Sequence, residues 1–298
     1  MKTFSIAGVQ MYVSATNSNI EMMKHKIDLT VSIYPWVDMI VFSELCCFGP
    51  LTNYSQADTN ATEQAFCELA KKHSIWIVPG SIYQTRGDEI FNMSIAINPQ
   101  GEIVSRYDKL FPFFPYEEGV AAGDTFSYFD VPKVGRFGIS ICYDLWFPET
   151  ARSLAAKGVD VILHPTLTPT IDRDIELAIV QSTAAVNQCY VFDVNGVGSG
   201  GNGRSIVCGP DGRILYQASV GEEIIPLELD IARVKRSREK GILRLGQPLK
   251  SFRDRKVRFD VYDKGEHHDY LNTLGLLEKP KRKVRLDVAL SVPDLNKI

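Results

Sequence analysis

Apolar residues follow two rhythms along this chain. Short, nearly unbroken runs occupy residues 3–9, 38–42 (DMIVF), 74–83 (SIWIVPGSIY), 137–142, 159–164 and 190–194. They have the length and the β-branched content of strands buried on both faces. Between them, apolar residues recur every three or four positions. Ile20, Met23, Ile27 and Val31 do so across 18–33, and Phe66, Leu69 and Ala70 across 61–73. Ala151, Leu154 and Ala155 repeat the spacing across 148–157, and segments 171–188 and 231–238 are read the same way. These are helices. Pro35 ends the first, and Pro148 suits the opening turn of the third. Pro99-Gln100-Gly101 and Gly209-Pro210-Asp211-Gly212 are turn signals. Their flanking runs, 91–98 with 102–107 and 205–208 with 213–216, predict two hairpins.

The order strand, helix, strand, helix, strand, hairpin thus occurs twice, as a repeat of elements rather than of letters. Alternating strands and helices predict an α/β protein. The hairpins predict mixed sheets, and two sheets packed face to face with helices outside both would accommodate the two halves. Residues 1–249 are expected to form the body and 250–298 a C-terminal extension. In that extension charge rises, periodicity fades and a basic run, KPKRKVR (279–285), reads as solvated. Tyr270, Leu271, Leu274, Leu277, Val288 and Leu290 predict an arm that packs on the body or on a partner subunit, and 243–252 a segment that docks on the body.

Composition narrows the classes. The 298 residues carry a formal charge of -3, with 45% hydrophobic and 23% charged positions. That balance gives no electrostatic case for nucleic acid or an anionic membrane. No apolar run is long enough to span a bilayer. Ser5, Gly8 and Gln10 interrupt the first run, which reads as a strand rather than a leader, so a cytoplasmic protein is expected. Six cysteines (46, 47, 67, 142, 189, 208) and five histidines show no metal-ligand spacing, so no metal is expected. Most of these thiols are expected to be small buried hydrophobes.

Three polar residues sit where apolar strands end. Glu44 follows MIVFS, Lys109 follows IVSRYD and Cys142 follows FGISI. In α/β sheets, chemistry gathers at strand ends. A thiol mostly protonated at neutral pH needs a base to become a nucleophile, and a buried carboxylate such as Glu44 can serve. Attack on an amide carbonyl creates an oxyanion, which Lys109 and the backbone N–H of Tyr143 could stabilise. The same residues are also compatible with a loop cap, a surface charge and a core thiol. His164, in VILHPT, offers a competing Cys142–His164 dyad, although that would leave the Glu44 and Lys109 segments unexplained.

The wording of these segments is more specific than their spacing. FSELCCFGP, YDKLFPFFPYEEGVAAGD and GRFGISICYDLWFPETAR resemble the three catalytic segments of the nitrilase superfamily of carbon–nitrogen hydrolases. The likeness continues through NQCYVFDVNGVG and SIVCGPDGRILY, and covers roughly residues 3–240. The resemblance implies a four-layer α-β-β-α sandwich of two mixed sheets in pseudo-twofold halves, assembled as a homodimer or larger homo-oligomer. It implies Cys142 as nucleophile, Glu44 as base and Lys109 as oxyanion stabiliser, with no cofactor. Amidase-like members place a second glutamate shortly before Gly-Asp. Glu118, five residues before Gly123, is chosen here, with Glu117 beside it left open. Cys46 and Cys47, flanking the base segment, are expected to line or support the pocket.

Departures from the family pattern suggest the substrate. Tyr143-Asp144 stands where true nitrilases carry Trp-Glu, which favours an amide over a nitrile. No arginine follows Cys-Tyr-Asp, so an anionic substrate lacks a bidentate partner there. Arg173 could substitute, or could be a solvated residue at a helix start. Tyr143, Trp146, His164 and Phe114 are the expected substrate-binding residues, among loop aromatics that include Phe111, Phe113 and Tyr116. The predicted reaction is hydrolysis of a neutral carboxamide to acid and ammonia through a cysteine thioester. Hydrolysis of an N-carbamoyl amino acid or amine is the alternative, followed by a non-catalytic scaffold.

Overall fold

The computed structural model describes residues 3–262 and 268–279. The apolar runs form two sheets. In the first, the order is Glu223–Leu229, Phe4–Gln10, Met39–Phe42, Trp76–Val78, Glu89–Ile97 and Ser81–Arg86; Ile103–Asp108 and Val120–Ala121 also pair with Glu89–Ile97. In the second, it is Ile214–Gln217, Ile206–Cys208, Tyr190–Asn195, Val161–Thr166, Gly135–Ile139 and Tyr128–Val131. Each sheet has three parallel strands at its centre and antiparallel neighbours on both sides. This is the twofold correspondence that the repeated element order predicts.

Burial explains why the strands read as continuous apolar runs. Ile6, Met39, Val41, Phe137, Val161, Leu163, Phe192 and Val194 meet between the two sheets. The residues that alternate with them face outward: Ala7, Ile40 and Phe42 under helices Ile20–Ile33 and Asn60–His73, and Ile162 and Val191 under Pro148–Ala156 and Arg173–Asn187. The result is a four-layer α-β-β-α sandwich. Every central strand loses both faces to apolar partners, so there is no polar alternation to see.

One expectation about elements changes, and two edge strands were not anticipated. Residues 74–83 are two strands, not one, because Pro79-Gly80 interrupts pairing. Gly80 has φ +77°, and a Cβ there would collide with the backbone carbonyl of Ser43, so the break also lets the chain pass close beneath the segment carrying Glu44. The edge strand Glu223–Leu229 contains Pro226, a residue that reads as a breaker and that a sheet tolerates at its edge. Tyr128–Val131, the opposite kind of edge, alternates exposed and buried positions over only four residues.

Helix Pro248–Arg253 packs on Arg173–Asn187, with the Leu249 amide donating to Gln188 Oε1 at 3.4 Å. Farther on, Tyr270, Leu271, Leu274 and Leu277 are exposed, and the Lys279 ammonium stands 5.7 Å from the centre of the Tyr116 ring. His267, the rest of the basic run, Val288 and Leu290 lie outside the described residues. Among the described residues, no helix is long and apolar enough to cross a membrane.

Candidate active site

The C-terminal ends of strands from both sheets open into one cavity of about 480 Å³. Glu44 arrives just after Met39–Phe42 and Cys142 just after Gly135–Ile139. Lys109 follows Ile103–Asp108, and Leu167 and Thr168 follow Val161–Thr166. The Glu44 amide donates to Thr166 O at 3.3 Å, so the base segment of the first sheet is tied to a strand of the second. Cys142 has φ 45° and Leu45 has φ 51°. Such left-handed backbone costs an ordinary residue about 1–2 kcal/mol. At Cys142 it turns the chain from strand into the 3₁₀ turn Cys142–Trp146 and presents the thiol to the cavity.

Lys109 is the hub, 1% exposed. Its Nζ bonds Glu44 Oε1 at 2.8 Å and Glu117 Oε2 at 2.7 Å. Asn92 Nδ2 bridges the same two carboxylates, at 2.8 and 3.1 Å. Glu117 also accepts from Tyr83 OH at 2.9 Å and from the Phe113 amide at 2.6 Å. The expectation of Glu118 is therefore corrected: Glu117 is the buried partner, and Glu118 is exposed. The reason is local. The amides of Tyr116 and Glu117 both donate to Phe113 O, forming a tight turn. In that turn only one of two adjacent side chains faces inward, and four donors converge on Glu117.

The electrostatics follow from this packing. Burial pushes the Glu44 carboxyl up; Lys109 pulls it back, Glu117 pushes it further, and it comes to about 7. Burial also raises the Cys142 thiol well above its usual range, and the Glu44 charge adds to this. Burial works against the Lys109 ammonium, but Glu44 and Glu117 outweigh it and hold its pKa well above the ordinary lysine value. In Glu117 the desolvation is likewise outweighed, here by Lys109, and the carboxyl lies below its usual value. The site thus holds a protonated thiol beside a carboxyl poised near neutrality and a fixed cation.

Asp144 joins the thiol turn to the lysine segment. Its fully buried carboxylate accepts from Tyr107 OH at 2.6 Å, the Ile141 amide at 2.8 Å and the Phe111 amide at 2.8 Å. The sequence marks it only through the Tyr143-Asp144 pair that departs from the true-nitrilase pattern, not as a buried acceptor. Asn92 and Tyr83, on paired strands of the first sheet, gave no signal at all, because only strand register brings them to Glu117.

Of the expected substrate-binding residues, Tyr143 and Trp146 line the cavity and the other two do not. Phe113 takes the place expected for Phe114, which is 37% exposed and does not line the cavity. His164 is buried behind the site, its Nδ1 3.1 Å from Ser140 O. Burial pushes its pKa down to about 3, so it stays neutral. Cys46 and Cys47 do not line this cavity. They are buried between the first sheet and its helices, beneath the base segment. Arg173 is neither solvated nor in the cavity wall. It is buried in ion pairs with Asp193 and Glu176.

Fold and site together define a four-layer α-β-β-α protein with a buried Glu–Lys–Cys cluster at its strand ends. The carbon-nitrogen hydrolase family model matches residues 5–239. The chain belongs to the carbon–nitrogen hydrolase family, within the nitrilase superfamily. It is 29% identical over 277 residues to an omega-amidase of Saccharomyces cerevisiae, covering 84% of this chain and 91% of that one. It is 29% identical over 272 residues to a formamidase of Helicobacter acinonychis, covering 82% and 80%. The crystal structure of Saccharomyces cerevisiae Nit3, described as a member of branch 10 of the nitrilase superfamily, superposes with a TM-score of 0.73 at 27% identity, covering 80% of this chain and 94% of that one.

Proposed function

We propose that this protein hydrolyses a neutral carboxamide to carboxylic acid and ammonia through a thioester on Cys142. The observation that carries the reading is the placement of Glu44, with a pKa of about 7, on the buried Lys109 and in the same cavity as the Cys142 thiol. Cys142 Sγ attacks the amide carbon while its proton passes to Glu44. The oxyanion is held by Lys109 and the Tyr143 N–H. The C–N bond breaks as Glu44 returns the proton to the leaving nitrogen, releasing ammonia. Water then attacks the thioester, Glu44 takes its proton, and the thiolate leaves and is reprotonated. Glu117 keeps Lys109 in place and orients the incoming amide or water. A base that starts half-protonated near neutrality can both accept and return a proton, which both half-reactions need.

The wall of the cavity favours an amide over an N-carbamoyl amino acid. Among the described lining residues, Lys109 is the one cation, and it already serves two carboxylates. A substrate carboxylate would find no partner. The test is ammonia release from simple aliphatic amides, nitriles and N-carbamoyl amino acids, with wild type and Cys142→Ala side by side. Release from the amides, lost in the variant, is expected. Undiminished release in Cys142→Ala, or release from N-carbamoyl amino acids alone, would overturn the reading.

A further inference from the structure

Glu176 takes no part in the chemistry proposed above, yet its side chain lines the same cavity as Cys142. It stands in the first turn of helix Arg173–Asn187. One carboxylate oxygen is committed: Oε2 accepts from Thr168 Oγ1 at 2.5 Å and from Arg173 at 3.2 Å. Oε1 has one donor among the described residues, Trp146 Nε1, at 3.3 Å. A carboxylate oxygen accommodates two donors, so a site on Oε1 is left for a ligand.

Nor is its charge cancelled. Arg173, the cation behind it, is shared with the buried carboxylate of Asp193. Lys109 is shared in the same way between Glu44 and Glu117. The described lining therefore carries the carboxylates of Glu44, Glu117, Asp172 and Glu176 against the single Lys109 ammonium. The Cys142 thiol lies within electrostatic reach of Glu176, which contributes to its raised pKa. A substrate bound at the thiol is then within reach of the same carboxylate. At about 480 Å³ the cavity has room for several carbons beyond the reacting amide.

We propose that Glu176 is a specificity-determining residue that accepts the ammonium group of an amide whose acyl chain ends in a primary amine. The inference rests on the amidase reading and extends it from neutral acyl chains to amino-terminated ones. Trp146 and Tyr143 provide an apolar wall along which the methylene chain lies, and Glu176 receives its end. An amide ending in a carboxylate is repelled by the same residue.

The test compares three matched series: butanamide, pentanamide and hexanamide; their ω-amino derivatives; and the ω-carboxylates of equal length. The readout is kcat/KM for wild type, Glu176→Gln and Glu176→Asp. In wild type at least one ω-amino amide is expected to exceed its unsubstituted partner by about tenfold, mostly through KM, with the ω-carboxylates below both. In Glu176→Gln that ratio should fall close to one, and Glu176→Asp should retain part of it. Binding of the same compounds to Cys142→Ala, followed by calorimetry, reads the ranking without turnover. An ω-carboxylate as the best substrate, or a ratio unchanged in Glu176→Gln, overturns the proposal while leaving the amidase reading intact. If neither variant folds, the wild-type ranking decides. If wild type turns over no amide, the amidase reading fails and the ranking in Cys142→Ala decides about Glu176.

Discussion

Replacing Glu117 by Gln tests the electrostatic design of the site, and Glu118→Gln is its control. Glu44 and Glu117 grip one Lys109 Nζ, at 2.8 and 2.7 Å. Their contacting oxygens are therefore no more than about 5.5 Å apart, and two like charges at that distance with an effective dielectric near 20 repel by about 3 kcal/mol. That corresponds to about two pKa units on Glu44. The sign follows from the site: Glu117 is one of the groups pushing Glu44 up to about 7. Without that charge, burial alone opposes the pull of Lys109, and the Glu44 pKa falls. The base works deprotonated, so kcat/KM for an amide rises with pH through the Glu44 pKa. Wild type should show this limb near pH 7, and Glu117→Gln should shift it down by about one to two units. The height of the profile will also drop, because Gln supplies a weaker partner for Lys109 and the substrate. The position of the limb, however, is independent of its height. Glu118→Gln, an exposed change, should leave the limb where it is. A limb unmoved in Glu117→Gln, or moved by Glu118→Gln, would refute this account of how the two carboxylates share the lysine.

Other substitutions probe separate parts of the framework. Lys109→Met leaves Glu44 and Glu117 facing each other without their cation, and should cost about 3–5 kcal/mol of stability along with the activity, read by denaturant unfolding. Asp144→Asn removes the charged acceptor of the Tyr107 hydroxyl and two amides, and should cost about 2–3 kcal/mol; loss of activity without loss of stability would show that it does not act as the clamp. Phe113→Ala should raise KM several-fold while Phe114→Ala leaves KM unchanged, because Phe113 alone of the two lines the cavity; equal effects would refute the turn geometry.

The core of the fold was legible because burial on both faces writes itself into the chain. Runs such as DMIVF and VILHPT have the length of strands and no polar alternation, and the helices between them carry an apolar stripe. Glu44, Lys109 and Cys142 were legible for a related reason: each follows directly on such a strand, and the segments around them resemble a known family. What the sequence left open concerns direction and register. Whether Glu117 or Glu118 faces Lys109, and whether Phe113 or Phe114 faces the cavity, depends on a tight turn whose rotation has no period to read. Edge strands such as Glu223–Leu229 were missed because an edge tolerates Pro226, which elsewhere would end a strand. Asn92, Tyr83 and Glu176 come from separate strands and a helix and meet the site only through tertiary packing. The sequence by itself determined the layers and the candidate reacting residues, because hydrophobic periodicity and strand ends are local. Only the tertiary structure decided which carboxylates share the lysine and which charge faces the substrate, because buried charges are governed by neighbours distant in sequence.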